Sequence, residues 1–146
     1  MWNEPGLTVL DKDDKIAVTG AVPPQGVVAV ARIDGAAARG EDDLFGQFSD
    51  ALRFPAYFGW NWDALSDCLR DLNWLPADRY LVVIEEPAKL LTGDAEGRRI
   101  LFEILGRASR EWANPLGKPR NAGMPFQTLL LAAEADVEEL RRELSA

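Results

Sequence analysis

The sequence predicts an α/β fold, a small three-stranded parallel sheet with helices packed on it, flanked by an N-terminal extension and a C-terminal helix. Three observations predict it. Short apolar runs rich in strand-forming residues recur at 27–33, 80–84 and 126–131, and segments with helical apolar spacing lie between them. Parallel strands also need long crossovers, which helices supply. Residues 1–25 mix short apolar pieces, Leu7 to Leu10 and Ile16 to Val18, with charges, and end in Pro23-Pro24, a boundary signal. They read as an appendage of short strands or irregular structure ahead of a core spanning 27–132. The run from Val27 to Ile33 is nearly continuous in its apolarity, the pattern of a strand covered on both faces. Glu41, Asp42 and Asp43 then place acids where a helix N-terminus favours them. Leu44, Phe45, Phe48, Ala51 and Leu52 follow at helical spacing, and the helix stops before Pro55. Asn61 is an N-cap for a second helix through about Leu72, closed off by Pro76. Tyr80 to Ile84 is a second buried strand. Pro87 to Leu91 forms a short helix, and Asp94 caps a longer one carrying Ile100, Leu101, Ile104, Leu105, Ala108 and Trp112. Asn114-Pro115 ends it, a loop rich in Gly and Pro runs to Pro125, and Phe126 to Leu131 is the third strand. The tail, 134–144, is a helix with Val137, Leu140 and Leu144 on one face.

Composition narrows what such a fold does. The chain has 146 residues, 47% hydrophobic and 27% charged, an ordinary globular balance. At that length it buries roughly 70% of its unfolded surface in a single core, so 1–146 is expected to form one domain. No apolar run reaches the roughly 18 residues of a membrane span. The start, Met1-Trp2-Asn3-Glu4, lacks the basic and apolar stretches of a secretory signal, so a cytoplasmic location is expected. The single cysteine, Cys68, has no internal partner and suits a reducing compartment. With no histidine at all, no Ser-His-Asp or Cys-His nucleophile system, histidine metal ligand or imidazole base can be assembled. No metal and no cofactor is expected. A net charge of −8 disfavours phosphate neutralisation and direct nucleic-acid binding, and favours a basic partner.

The most informative stretch is 54–72, FPAYFGWNWDALSDCLRDL. On a helical wheel Trp62, Leu65, Cys68, Leu69 and Leu72 gather on one side, which should pack on the core. Asp63, Asp67 and Asp71 recur every four residues on another side. Like charges so spaced cost a few tenths of a kcal/mol per pair, so stability alone does not ask for the arrangement. A solvated face is the bland explanation, but the aromatics Tyr57, Trp60 and Trp74 flank it and are the usual material of interface hot spots. Between Tyr57 and Glu86 six acids face two bases, Arg70 and Arg79. Such a field speeds encounter with a cationic cleft.

The residues Tyr57-Phe58-Gly59, Asn61, Asp63-Ala64-Leu65 and Asp67-Cys68-Leu69 are similar to the hallmark stretch of the barstar family, an aromatic pair and glycine followed by N-x-D-A-L-x-D-C-L. The resemblance covers roughly Val27 to Ala132. It implies a three-stranded parallel sheet with helices packed on it, and an inhibitor, not an enzyme, that places the hallmark helix and its preceding loop in a ribonuclease active site. By position, Asp67 would enter the phosphate site through charge-assisted hydrogen bonds and Asp63 would flank it. Tyr57 would pack against the nuclease's catalytic base, Phe58 beside it counts among the partner-binding residues, and Gly59 would let the loop backbone approach closely. Asn61 reads more strongly as a cap than as a contact, and Cys68 as core. Asp71 extends the acidic stripe, and Trp60 and Trp74 offer contact area. There are departures. Ser66, Arg70 and Leu72 replace a tryptophan, a threonine and a tryptophan of the best-known member, and Gly106 and Arg107 stand where a later-helix glutamate is used. Arg70 adds a positive charge to the contact face and weakens binding to a cationic cleft unless the partner offers an acid. The resemblance implies a cationic ribonuclease as partner, either guanyl-specific or a nuclease toxin, with the inhibitor as its immunity protein.

Two other readings compete. Asp63 and Asp67 could serve an enzyme using paired carboxylates, which requires environments that push their pKa values apart. The 97–120 region, with six bases (Arg98, Arg99, Arg107, Arg110, Lys118, Arg120) against Glu103 and Glu111, could form a patch for RNA or an acidic protein, although solvated helix positions explain it more simply.

Overall fold

The computed structural model describes residues 6–21, 26–113 and 126–145. The expected boundary at Pro23-Pro24, the N-terminal segment up to Pro5, the Asn114-Pro115 helix end, the Gly/Pro loop and the bases Lys118 and Arg120 lie outside the described residues. In chain order the elements are β1 (Leu7–Asp11), α1 (Lys15–Ala21), β2 (Val28–Asp34), α2 (Glu41–Leu52), α3 (Trp62–Asp71), β3 (Arg79–Glu85), α4 (Ala95–Ala113), β4 (Phe126–Ala132) and α5 (Val137–Ser145), with short 3-10 turns at Pro87–Lys89 and Glu134–Asp136.

The strands form one parallel sheet in the order β1-β4-β3-β2. Among the described residues the sheet therefore has four strands, a correction to the expected three. The fourth is β1, whose Leu7 and Val9 point into the core and whose register runs from Leu7 opposite Thr128 to Asp11 opposite Ala132. The segment reads as short strands or irregular structure, but five residues do not announce membership of the main sheet, because the partner lies well over a hundred residues away and only pairing decides it. Gly6 makes the entry possible. Its φ of +78° lies in the left-handed region, and any side chain there would run into Ser109, whose hydroxyl donates to the Phe126 carbonyl at 2.5 Å. Ile16 to Val18, grouped with the apolar pieces of the N-terminal segment, lie on helix α1, and Ile16 is exposed.

β3 is central, and its run Tyr80 to Ile84 is buried on both faces. β2 is not, which corrects the expectation of a strand covered on both sides. It sits at the sheet edge, with Ala31 and Ile33 in the core and Val30 and Arg32 facing outward. The main core joins Tyr80, Val82 and Ile84 of β3 and Phe126 and Leu130 of β4 to the apolar faces of α2, α3, α4 and α5. The opposite side of the sheet carries a smaller cluster of Leu81, Val83 and Leu129.

Polar groups tie the layers. Gln47 of α2 brackets the backbone of Asp34, accepting from its N–H at 2.6 Å and donating to its carbonyl at 3.0 Å. Arg141 of α5 donates to the Val9 carbonyl of β1 at 3.2 Å. The hydroxyl of Thr128 on β4 is fully buried and has no hydrogen-bond partner among the described residues. Burying an unsatisfied hydroxyl is costly, so Thr128→Val, which keeps the shape, is expected to raise the unfolding free energy by about 1 kcal/mol in urea titration. A loss of stability instead would mean that the hydroxyl is hydrogen-bonded in solution.

Candidate functional site

The acidic stripe and its aromatic loop are assembled by α3 and the turn before it. α2 ends when Arg53 enters the left-handed region, its N–H bonded to the Ser49 carbonyl. The chain then folds on an aromatic cluster in which Phe58 meets Phe54 edge to face at 4.8 Å, Phe45 at 6.1 Å and Trp60 at 5.6 Å. Phe58 is buried, so it anchors the loop from beneath while its neighbours reach solvent. Tyr57 is 72% exposed and Trp60 50%. Trp60 adopts φ 55°, a conformation that costs a side-chain-bearing residue roughly 1–2 kcal/mol and turns its indole back over Phe58. Gly59 is exposed, and a Cβ there would press on the Asn61 amide at 3.3 Å.

Asn61 caps α3, its side-chain oxygen accepting from the Ala64 N–H at 2.8 Å while its amide donates to the Gly59 carbonyl at 3.3 Å. The helix buries Leu65, Cys68 and Leu69, and Leu72 closes it in the left-handed region. Trp62 packs edge to face on Phe45 at 5.0 Å and donates to Glu41 at 3.0 Å. Trp74 is half-buried. Its indole N–H donates to the Leu52 carbonyl at 2.9 Å and its ring meets Phe54, so it braces the loop and offers only part of its surface. From α4, Trp112 donates to the Leu69 carbonyl at 2.8 Å, satisfying one of the last carbonyls of α3 and fixing that helix to its neighbour.

With its inner face seated, α3 turns Asp63, Asp67 and Asp71 to solvent. The stripe is not free of counter-charge. Asp67 is 75% exposed, yet its Oδ1 accepts from Arg70 Nη2 at 2.8 Å. Arg70 is itself drawn inward, only 22% exposed, with Nε donating to the Ser66 carbonyl at 3.2 Å and Nη1 pairing with Glu111 of α4 at 3.2 Å. Arg107 completes the row, its Nε 3.0 Å from Glu111. Arg70 therefore does not project as an isolated cation on the contact face, which corrects the expectation from position alone. The Asp67–Arg70 spacing of three is legible as a helical pair; the grip of Glu111, 41 residues further along, is not.

Cys68 lies beneath the stripe. Burial, and then the Asp67 and Asp71 charges, push its thiol up to about 11 from 9.0. Because the folded-state value is raised, the stabilisation from keeping the thiol neutral is complete below about pH 9 and disappears as pH climbs toward 11. The wild-type unfolding free energy, relative to Cys68→Ala, is expected to fall by about 1.4 kcal/mol per pH unit across that window. A parallel pair of curves would refute the shift.

The competing sites find less support. Asp63 and Asp67 both stand exposed on adjacent turns of one helix, whereas a catalytic carboxylate pair needs an enclosed site. Among the described residues no group of three or more histidine, cysteine or carboxylate side chains could hold a metal ion. In the basic stretch, Arg99 pairs with Glu96 and Glu103, Arg107 with Glu111, and Arg98 with Glu143 and the Pro87 and Leu90 carbonyls. Those bases are neutralised locally. No described helix is long and apolar enough to cross a membrane.

A family model described as Barstar (barnase inhibitor) matches residues 28–131, more than half of the chain. The matched span runs from β2 into β4 and includes the whole acidic helix, while β1, α1 and α5 fall outside it. No curated protein matches the chain.

Proposed function

This chain belongs to the barstar family, and from that premise we propose that it inhibits a cationic ribonuclease by covering the enzyme's active site with α3 and the Tyr57–Trp60 loop. One observation carries the reading: three aspartates stand on the solvent face of a helix whose other side is locked into the core, directly after a loop that turns Tyr57 and Trp60 outward. A nuclease cleft that binds phosphodiesters with arginine and lysine accepts carboxylates in the same positions. Asp67 takes the phosphate position, with Asp63 and Asp71 on either side of it along the helix. The exposed rings supply apolar area beside the charges, and Gly59, Asn61 and Ser66 shape the surface between them. The negative field of the stripe raises the encounter rate at low salt. Held in the cytoplasm, such an inhibitor protects the cell that makes the nuclease, whether a guanyl-specific secreted enzyme or a nuclease toxin.

The test is capture followed by inhibition. Immobilised protein incubated with extract and culture medium of the source cell should retain a small basic ribonuclease. Titrating the inhibitor into that enzyme should abolish RNA cleavage at one-to-one stoichiometry. Retention without loss of cleavage, or no ribonuclease retained, would overturn the reading.

A further inference from the structure

Asp67 carries the proposed contact, yet an arginine of the same helix is bonded to it. In an inhibitor for a cationic cleft, a mobile guanidinium one turn away would follow the carboxylate into the interface and repel the enzyme's own cations. The structure restrains it. Among the described residues Arg70 is held by the Ser66 carbonyl, by Asp67 and by both carboxylate oxygens of Glu111 at 3.2 and 3.4 Å. Glu111 belongs to α4, not to the acidic stripe, and is itself oriented by Arg107 at 3.0 Å and kept in place by the Trp112 bond to α3 next to it in sequence.

We infer that Glu111 is a positioning residue for the inhibitory surface: by holding the Arg70 guanidinium back against α4, it lets Asp67 meet a cationic partner without carrying its own counter-charge into the contact. The inference rests on the inhibitor reading above. Two roles follow for Arg70. In the free protein its bond to Asp67 keeps that carboxylate in one orientation. In the complex, a desolvated nuclease cation takes the place of Arg70 at a carboxylate that is 75% exposed in the free protein, and the exchange runs in the nuclease's favour because pairs open to water are weak and interfacial ones strong, while Arg70 keeps its bonds to Glu111 and the Ser66 carbonyl. Glu111 decides where Arg70 goes when Asp67 lets go of it.

The test is a double-mutant cycle on association with the inhibited ribonuclease, with a charge control. Glu111→Gln should slow association at low salt by about threefold to tenfold, since it removes one negative charge and releases one positive charge toward the contact face. Glu103→Gln, which removes the same charge from the Arg99 pair on the same helix, should slow it less than about twofold. In an Arg70→Met background, Glu111→Gln should have no more effect than the Glu103 control. Independently of any nuclease, NMR of the free protein should show hindered rotation of the Arg70 guanidinium in the wild type and faster rotation in Glu111→Gln, with thermal unfolding of the two alike.

Equal slowing by Glu111→Gln with and without Arg70 would overturn the inference, because Glu111 would then act only as a charge. An Arg70 guanidinium still hindered in Glu111→Gln would overturn it as well. Both outcomes leave the inhibitor reading intact, whereas a wild-type protein that binds no ribonuclease sinks the two together.

Discussion

Asp67→Ala is expected to weaken the complex with the target ribonuclease by about 2–5 kcal/mol, or roughly thirtyfold to several thousandfold, while barely altering the stability of the free protein. That range describes truncation of one partner of a buried charge pair. It is a scale to which the barnase–barstar complex itself contributes, and it applies here on the inhibitor reading proposed above. The stability side rests on geometry. Removing the carboxylate loses an ion pair whose Asp67 end stands in water, worth about 0–1 kcal/mol, leaves Arg70 still paired with Glu111, and relieves repulsion from Asp63 and Asp71 four residues away on either side, worth a few tenths each. The two nearly cancel, leaving a change within about 0.5 kcal/mol in urea unfolding. Most of the lost affinity should appear as faster dissociation, with a smaller, salt-sensitive fall in association rate. Unchanged affinity would remove Asp67 from the contact. A large loss of stability would give it a structural role instead.

The second large effect is expected at a residue that touches no partner. Trp112→Ala should cost about 3–5 kcal/mol of stability, because it empties a buried indole site against Tyr80 and deletes the hydrogen bond to Leu69. Trp112→Phe keeps most of the volume and loses the N–H, leaving the buried Leu69 carbonyl without that donor, so about 1–2 kcal/mol is expected. The comparison bears on function as well as folding. On the proposed reading the carboxylates can stand in for phosphate only if their helix does not move, and Trp112 bonds the backbone of α3 to α4. Where Trp112→Phe remains folded, hydrogen exchange of the amides near the end of α3 should quicken, and affinity for the ribonuclease should fall by a further few-fold beyond what global unfolding explains. Unaltered exchange in α3 would show that its apolar face alone fixes it.

Much of the site is legible in the order of residues along one helix. Asn61 as a cap, Asp63, Asp67 and Asp71 as an exposed row and Cys68 as core all follow from spacing, and the folded chain places them so. Period and capping are local, and ten residues contain the information they need. The loop is less legible. Tyr57 and Phe58 are adjacent aromatics with equal claims on solvent, and only the ring cluster around Phe45 and Phe54 turns one inward and leaves the other out. Arg70 departs from expectation for the same kind of reason. Its position on the wheel says which way the Cα–Cβ bond points, but a long flexible side chain goes where its partners are, and Glu111 sits on another helix.

Sequence by itself determined the parallel α/β class, the burial of the apolar run at Tyr80 to Ile84, the limits of α2 and α3, and the presence of an acidic helical face beside a run of aromatics. Each depends on the order of residues within a turn or a strand, where geometry leaves few choices. Tertiary structure alone decided that Leu7–Asp11 joins β4 as a fourth strand, that β2 lies at the edge with one face in water, and that the charge of Arg70 is drawn back by Glu111. Those outcomes are pairings between distant segments, selected by which packing buries the most apolar surface and satisfies the most polar groups at once, and no local pattern encodes that competition.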